Sequence, residues 1–310
     1  MASTVIRADQ LSKDYGAVHA LRDLDLEVAQ GEVFGYLGPN GAGKTTTIRL
    51  MLGLARPTSG RVEIFGLDSD RQAVEVHRRL AYVAGEANLW PSLTGMDTLH
   101  LLGRVQGHVD TAYRDELIAR FDLDPGKKIR AYSKGNRQKV QLIAALMTRA
   151  DLLVLDEPTS GLDPLMEQAF RRSIGEARER GQTVFLSSHI LSEVEALCDR
   201  VGILRDGVLV EAGTLAQMRH LSALTVEVTF DGPVPDLSAV PGVSGVEVTG
   251  QVVRCQVRGS VEPLLKVLAT ADVHELLSRE PSLEELFLAQ YGASPAAAGP
   301  GTASVPAHAG

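Results

Sequence analysis

Cysteine, tryptophan and long apolar runs are all scarce in this chain of 310 residues, which has two cysteines and one tryptophan. Cys198 and Cys255 are too few for a disulfide framework or a metal site built from cysteine, and they indicate thiols that stay reduced. The most apolar stretches, at 142–147 and 152–155, are much shorter than the roughly 20 residues that a membrane-spanning helix needs. If the protein works at a membrane, we expect another polypeptide to hold it there.

A secretory signal and an excess of positive charge are also missing. Residues 1–10 contain no apolar stretch of the length that a signal peptide needs, which predicts a cytoplasmic protein. The net charge of −8 and the isoelectric point near 5.5 argue against a surface that binds nucleic acid. Hydrophobic residues at 44% and charged residues at 23% are ordinary for a soluble globular protein.

A glycine-rich loop is the strongest motif of the sequence. It follows the apolar run 33–37 and precedes a helical pattern at 47–52, so it joins a predicted strand to a predicted helix. Glycines there let backbone N–H groups converge on a phosphate, and the start of the helix adds its partial positive charge. A flexible turn without a ligand would need neither the lysine nor the hydroxyl of this loop, so we predict a nucleoside triphosphate site. The loop consists of Gly38, Pro39, Asn40, Gly41, Ala42, Gly43, Lys44, Thr45 and Thr46.

Four side chains supply the chemistry expected at this site. Lys44 is placed to reach the β- and γ-phosphates, and the Thr45 hydroxyl is placed to hold Mg²⁺. Asp156 and Glu157 follow the apolar run 152–155, so we expect them at the carboxyl edge of a buried strand, where such sheets bind ligands. Asp156 suits Mg²⁺, and Glu157 suits a base that deprotonates the attacking water. Without the glycine-rich loop, the Asp-Glu pair would indicate no more than a solvated strand end.

A second candidate anion site begins at Ser133, ahead of a helical pattern at 139–149. A hydroxyl and small residues at the start of a helix suit a phosphate. The same pattern is also typical of an ordinary serine-capped helix. One nucleotide does not need two such cradles in one chain, but a symmetric dimer resolves the difficulty, because each chain can lend Ser133 to the nucleotide bound by the other.

The order of strand and helix patterns predicts two domains. Alternating strands and helices over residues 1–218, with a helical subdomain at about 90–148, indicate an α/β protein with a parallel sheet. Alternating strands and a further helix over 219–292 predict a small α+β accessory domain. Residues 293–310 offer little to bury and are expected to be disordered.

The motifs, in this order, resemble those of the nucleotide-binding subunits of ATP-binding-cassette (ABC) transporters. The resemblance covers roughly residues 5–218 and implies a P-loop ATPase core with an antiparallel β subdomain and a helical subdomain. The glycine-rich loop at 38–46 matches the Walker A motif, and 152–157 matches Walker B with its catalytic glutamate. Residues 133–137 resemble the LSGGQ signature, and 160–163 are similar to the D-loop.

The same resemblance implies roles for particular residues. Ser133 and Gly135 are retained from the signature and would contact the γ-phosphate held by the partner chain, whereas Lys134 and Asn136 depart from it. His189 falls where the family has its switch histidine, which contacts the γ-phosphate. The implied catalytic set is Glu157, His189 and Lys44, and the implied ATP-binding set adds Ser133, Gly135, Asp163 and Tyr15, whose ring would stack on adenine, to the glycine-rich loop.

A departure from the family concerns the metal site. The family has a glutamine after the strand near Val83, where it senses Mg²⁺ and contacts the membrane partner, and an ungapped alignment puts Gly85 there. Because glycine has no side chain to coordinate with, either Glu86 takes its place as a metal ligand or the contact is missing. Trp90 lies in the region that faces the permease in the family, and it suits either that interface or the core of the helical subdomain.

The segment 280–287, where Ser282 and Glu285 form a predicted capping box, resembles the end of the ATPase subunits of ABC-2-type exporters. These export drugs, antibiotics or lipids from bacteria. The resemblance implies a subunit that hydrolyses ATP with Mg²⁺ and dimerises around two ATP molecules, with itself or with a second cassette. A separate transmembrane permease would hold it at the inner face of the membrane, and nucleic acid is not an expected partner.

Three alternatives stay open at this point. A soluble ABC ATPase that acts on ribosomes or DNA usually has tandem cassettes or a long coiled-coil insertion, and this sequence has neither. A module that binds ATP but barely hydrolyses it is favoured only by Gly85. An importer subunit is the third, because the transported compound would contact the permease and cannot be inferred from this chain.

Overall fold

A computed structural model describes residues 3–86, 88–107, 109–220 and 224–279. Contacts divide the chain into two compact units, Met1–His220 and Leu221–Gly310. The predicted helix from Ser282 and the predicted disordered tail at 293–310 lie outside the described residues. None of the helices within the described ranges is long and apolar enough to cross a membrane.

The first unit alternates strands and helices along most of its length. Its strands are β1 (Thr4–Tyr15), β2 (Val18–Ala29), β3 (Val33–Leu37), β4 (Ser59–Ile64), β5 (Leu67–Asp68), β6 (Leu80–Val83), β7 (Leu152–Asp156), β8 (Thr183–Ser188), β9 (Arg200–Arg205) and β10 (Val208–Thr214). Its helices are α1 (Lys44–Met51), α2 (Ala73–His77), α3 (Gly95–Gln106), α4 (Thr111–Arg120), α5 (Lys134–Leu146), α6 (Pro164–Glu179), α7 (Leu191–Leu197) and α8 (Leu215–His220).

A six-stranded sheet with the order β10-β9-β3-β8-β7-β6 forms the centre of this unit. Strands β9, β3, β8, β7 and β6 run parallel, and β10 is antiparallel to β9. Every residue of β3, β7 and β8 is buried, as expected of parallel strands covered on both faces. The predicted parallel sheet is confirmed, and the segments that follow β3, β7 and β8 therefore meet at one edge.

A second, antiparallel sheet with the order β2-β1-β4-β5 belongs to the same unit. Leu24 of β2 and Phe34 of β3 lie in a single hydrophobic cluster that also includes residues of α1. The two sheets therefore share one core. That shared core brings the turn between β1 and β2 close to the glycine-rich loop, and both segments line one cleft.

The predicted helical subdomain corresponds to α3, α4 and α5. Thr94 and Asp97 form a capping box at the start of α3, and Asp110 caps α4 by accepting from Tyr113 N at 2.9 Å. Residues 122–126, which contain Pro125 and Gly126, lie between α4 and α5 and contain no helix.

The Asp-Gly pair at 206–207 connects β9 to β10. Asp206 and Gly207 both have positive φ angles, 48° and 79°, which is the backbone of a type I′ hairpin turn. The helix α7 has no counterpart in the sequence interpretation. It is only seven residues long, and so short a stretch shows little periodicity.

The second unit consists of β11 (Leu224–Phe230), β12 (Val243–Thr249), β13 (Val252–Val257), α9 (Glu262–Leu268) and β14 (Val273–Arg279). Its antiparallel sheet has the order β12-β13-β11-β14. Leu264 and Leu268 of α9 join the buried side chains of β11 and β13 in one core cluster, which gives the predicted α+β arrangement. The sequence did not indicate β14, because the adjacent Leu276 and Leu277 break the alternation that identifies a strand.

Gly35 of β3 generates a prediction about stability. A Cβ atom at this position would lie 2.5 Å from Val194 Cγ1 and 2.9 Å from Cys198 Sγ. We expect Gly35→Ala to lower the free energy of unfolding by about 1–3 kcal/mol, because the added methyl group overpacks the contact with α7. Gly175→Ala in α6 is the matched control, since a Cβ atom there meets nothing within 4 Å. It should raise the free energy of unfolding by about 0.5–1 kcal/mol. If urea titrations showed that both variants change the free energy of unfolding in the same direction, the prediction would be wrong.

Candidate functional site

The glycine-rich loop runs from the end of β3 to the start of α1. Gly41 and Gly43 have φ angles of 85° and 110°, a region that favours glycine. A Cβ atom on Gly43 would lie 2.6 Å from Ala20 O, and one on Gly38 would lie 2.6 Å from Leu204 O. Both the backbone conformation and the close approach of neighbouring backbone therefore require glycine here, which explains the spacing of glycines in the motif.

Lys44, the first residue of α1, places a positive charge inside this loop. Its side chain is 6% exposed, and its Nζ donates hydrogen bonds to Gly38 O at 2.6 Å and to Pro39 O at 3.3 Å. Nζ also lies 3.2 Å from Glu157 Oε1. The ammonium group is thus held by oxygens from two segments that are far apart in the sequence.

Asp156 lies at the end of β7 and is 3% exposed. Its Oδ2 accepts a hydrogen bond from Thr45 Oγ1 at 3.0 Å, and its Oδ1 accepts one from Ser187 Oγ at 2.5 Å. The Thr45 hydroxyl and the Asp156 carboxylate therefore converge, and they are the hard oxygen donors that Mg²⁺ prefers. Burial, with a smaller contribution from the charge of Asp156, raises the pKa of Tyr82 to about 12, so this tyrosine stays protonated at neutral pH.

Glu157 has a φ angle of 49°, in the left-handed region that non-glycine residues rarely adopt. Its backbone N–H donates to Ser187 O at 3.1 Å, which holds the residue in this conformation. Its carboxylate lies between the Lys44 ammonium and the imidazole of His189, whose Nδ1 contacts Glu157 Oε2. Such strain is concentrated at functional sites, where surrounding contacts hold it in place.

Lys44, Thr45 and Glu157 border a cleft of about 640 Å³. Tyr15 does not line the cleft; its ring is 47% exposed and has Lys13 Nζ at 5.0 Å from its centroid. The turn between β1 and β2 and the β9–β10 hairpin contribute residues that sequence reasoning missed, because no motif marks them. The lining consists of Ala17, Val18, His19, Ala20, Arg22, Pro39, Asn40, Gly41, Gly43, Lys44, Thr45, Thr46, Glu157 and Asp206.

The signature-like residues do not line this cleft. Ser133 caps α5 by accepting a hydrogen bond from Asn136 N at 3.2 Å, so the ordinary capping role is present in the single chain. Gly135 lies directly against the backbone oxygen of Gly161. Asp163 likewise caps α6, by accepting from Met166 N at 3.0 Å. The structure brings the Walker residues and His189 together and leaves Ser133, Gly135 and Asp163 outside the cleft.

Gly85 lies at the edge of the Asp156 site. A Cβ atom at Gly85 would be 3.5 Å from Asp156 O and 3.7 Å from its Oδ2. The side chain of Glu86 is exposed, and the described residues contain no group of three His, Cys, Asp or Glu side chains placed to hold a metal. The metal role of Glu86 therefore stays a prediction. Trp90, whose environment the sequence left open, is 49% exposed.

The fold and the glycine-rich loop together define a P-loop ATPase of the cassette class. A solved ATP-binding subunit of an ABC transporter superposes with a TM-score of 0.66 at 32% identity, over 70% of this chain and 92% of that one. Residues 21–160 match the family model described as "ABC transporter".

Curated relatives extend the match over most of the chain. It is 41% identical over 212 residues to the bacitracin transport ATP-binding protein BcrA of Bacillus licheniformis, which covers 67% of this chain and 69% of that protein. It is 36% identical over 305 residues to the daunorubicin resistance ATP-binding protein DrrA3 of Streptomyces coeruleorubidus, which covers 93% and 96% respectively. The chain belongs to the family of ABC transporter ATP-binding proteins, and it is an ATPase.

Proposed function

We propose that this chain is the ATP-hydrolysing subunit of an exporter, and that it works as a dimer at the cytoplasmic face of the membrane, bound to a separate permease. The observation that carries the catalytic part is the contact of Glu157 with both Lys44 and His189, beside the converging oxygens of Thr45 and Asp156. The relatives named for bacitracin transport and daunorubicin resistance support an antibiotic or drug as the exported compound.

In this proposal the triphosphate lies in the glycine-rich loop. Backbone N–H groups of the loop and the start of α1 face the phosphates, and Lys44 Nζ turns from its bonds to Gly38 O and Pro39 O toward the β- and γ-phosphates. Thr45 and Asp156 would hold Mg²⁺, which supplies charge neutralisation on the phosphates. Ser187 keeps the Asp156 carboxylate oriented, because it donates to the oxygen that Thr45 does not reach.

Glu157 is the proposed base. It lines the cleft, where its carboxylate can accept a proton from a water aligned with the γ-phosphate. The contact with His189 Nδ1 fixes one carboxylate oxygen and places the imidazole next to the same reaction centre. The pair therefore couples the segment after β7 to the segment after β8.

Replacing this base gives the most direct test of the catalytic part. We expect Glu157→Gln to bind ATP with wild-type affinity but to hydrolyse it about 10²–10⁴-fold more slowly, which is the usual contribution of a positioned base. Phosphate release and equilibrium ATP titration on the same preparation measure both quantities. Steady-state turnover near the wild-type rate would remove Glu157 from this role.

Residues that lie outside the cleft support the proposed dimer. Ser133 is exposed at the start of α5, and Gly135 is partly exposed beside it, so both present surface that a second chain could contact. In a two-fold dimer each chain would present this helix start and Asp163 to the nucleotide in the glycine-rich loop of the other. ATP bound at this interface would then bridge the two chains, and hydrolysis would remove the bridge.

A mixed dimer tests this sharing of sites. Lys44→Ala disables the phosphate loop of its own chain, and Ser133→Arg blocks the surface offered to the partner, so each variant alone should be inactive. When the two are co-expressed with different affinity tags and purified through both, one site carries both defects and the other carries neither. We expect about half of the wild-type phosphate release. Mixed dimers without activity would mean that the two sites are not shared, and a failure to recover any mixed dimer would indicate a second kind of cassette.

A largely apolar groove supports the permease part of the proposal. It has a volume of about 570 Å³ and lies between α2 and β6 on one side and α3 and α5 on the other. Leu54, Val74 and Val105 line it and are 64%, 65% and 77% exposed. Contiguous exposed apolar surface of this kind marks an interaction site, and a cytoplasmic segment of the permease is the proposed occupant.

Charge placed in the groove should release the permease. We expect Val105→Lys to reduce co-purification with a transmembrane subunit from detergent-solubilised membranes by about 10-fold or more. The introduced lysine would have to be buried in the interface when the permease binds. Val210→Lys is the matched control, because Val210 is 41% exposed on β10 and is not among the residues that line the groove. Equal recovery of the permease with both variants would contradict the docking site, and recovery with ribosomes instead would favour the soluble alternative.

A further inference from the structure

Glu193 is a buried acid that the proposed reaction does not use. It lies on α7, four positions after His189 in the sequence, and is 3% exposed. Burial raises the pKa of its carboxyl group, while hydrogen bonds from Thr159 and Ser188 act in the opposite direction. Its Oε1 is buried without a hydrogen-bond partner in the described part of the chain. A carboxyl group in such surroundings is held at a cost in free energy, so its position calls for a reason.

The partners of Glu193 belong to the two segments that bear the proposed catalytic pair. Ser188 Oγ donates to Glu193 Oε2 at 2.8 Å, and the same hydroxyl accepts from Ile190 N at 3.0 Å. These two bonds bracket His189 in the sequence. Thr159, which is 4% exposed, lies two residues after Glu157 in the turn where Ser160 N donates to Glu157 O at 3.1 Å.

Strand β8 separates this buried group from the nucleotide side. Consecutive residues of a strand face opposite sides of the sheet, and the contacts of β8 follow that rule. Ser187 Oγ donates to Asp156 on the side of the glycine-rich loop, whereas Ser188 Oγ donates to Glu193 on the side of α7. The end of β8 is thus tied by hydroxyl groups to Asp156 of β7 on one face of the sheet and to Glu193 of α7 on the other.

We propose that Glu193 is a positioning residue for ATP hydrolysis, whose carboxylate holds Ser188 and Thr159 so that His189 and Glu157 stay in contact. The inference rests on the proposed roles of Glu157 and His189. Glu193 itself touches no reacting group in this proposal. It acts through the backbone on each side of His189 and through the turn after Glu157, and a displacement of about 1 Å at a reacting group is enough to slow catalysis by roughly 100-fold.

The test compares Glu193→Ala, which removes the acceptor, with Glu193→Gln, which keeps an acceptor oxygen without the charge. We expect Glu193→Ala to lower kcat by about 10- to 100-fold with little change in the KM for ATP, and Glu193→Gln to restore most of the loss. Rates are normalised to the number of ATP-binding sites, so that a loss of folded protein does not count. Glu195→Ala, an acid on the same helix, is the matched control and should keep the wild-type kcat.

A double-mutant cycle separates positioning from general support of the fold. In the His189→Ala background, Glu193→Ala should cause almost no further loss of kcat, because the group that it positions is already absent. Full additivity of the two losses, or an unchanged kcat in Glu193→Ala, would overturn the inference. If Glu193→Ala does not fold, Ser188→Ala with Thr159→Val removes the donors instead and should give the same loss. An unchanged kcat in His189→Ala alone would count against the proposed function, and the cycle would then be repeated with Glu157→Gln.

Discussion

A buried positive charge is the constraint on which the site depends. The Lys44 ammonium is almost fully enclosed, and a charge in that position must be surrounded by oxygen atoms. Two of those oxygens belong to its own loop, but the third belongs to Glu157, which is 113 residues further along the chain (157 − 44). The carboxyl ends of β3 and β7 must therefore lie close together. The parallel sheet meets that requirement with β8 between them, since β8 pairs in register with both neighbours.

Sequence patterns were most informative where one local signal decided the backbone. The predicted strand at 33–37 agrees with β3, because this apolar run is bounded by the charged Glu32 and by Gly38. The Asp-Gly hairpin was predictable for the same reason. In contrast, β14 becomes a strand only through its pairing with β11, a long-range contact that no local pattern expresses.

The residues of the site also fall into those that a local sequence pattern locates and those that only the folded chain brings together. The glycine-rich loop, Asp156 and Glu157 could be located from sequence, because glycine positions and the end of an apolar strand dictate where these side chains go. Ser187 could not be recognised, since a serine at the end of a buried strand has no distinguishing pattern, although it supports both Asp156 and Glu157. Val18 and His19 line the cleft because the two sheets share a core, which is a property of the packed chain.

The start of α5 is attached to the turn that follows Glu157 at several points. Lys134 Nζ donates to Ser160 Oγ at 2.9 Å, Gly135 lies against Gly161, and the buried Gln138 Nε2 donates to Pro158 O at 3.0 Å. A shift at the start of α5 must therefore move this turn, because close-packed contacts transmit displacement rather than absorb it. If the start of α5 faces the nucleotide bound by a partner chain, these contacts couple Glu157 of each chain to the nucleotide site of the other chain. Lys134 contributes one of these contacts through a side chain that the resembled signature does not have, so this contact is specific to a residue at which the sequence departs from the signature.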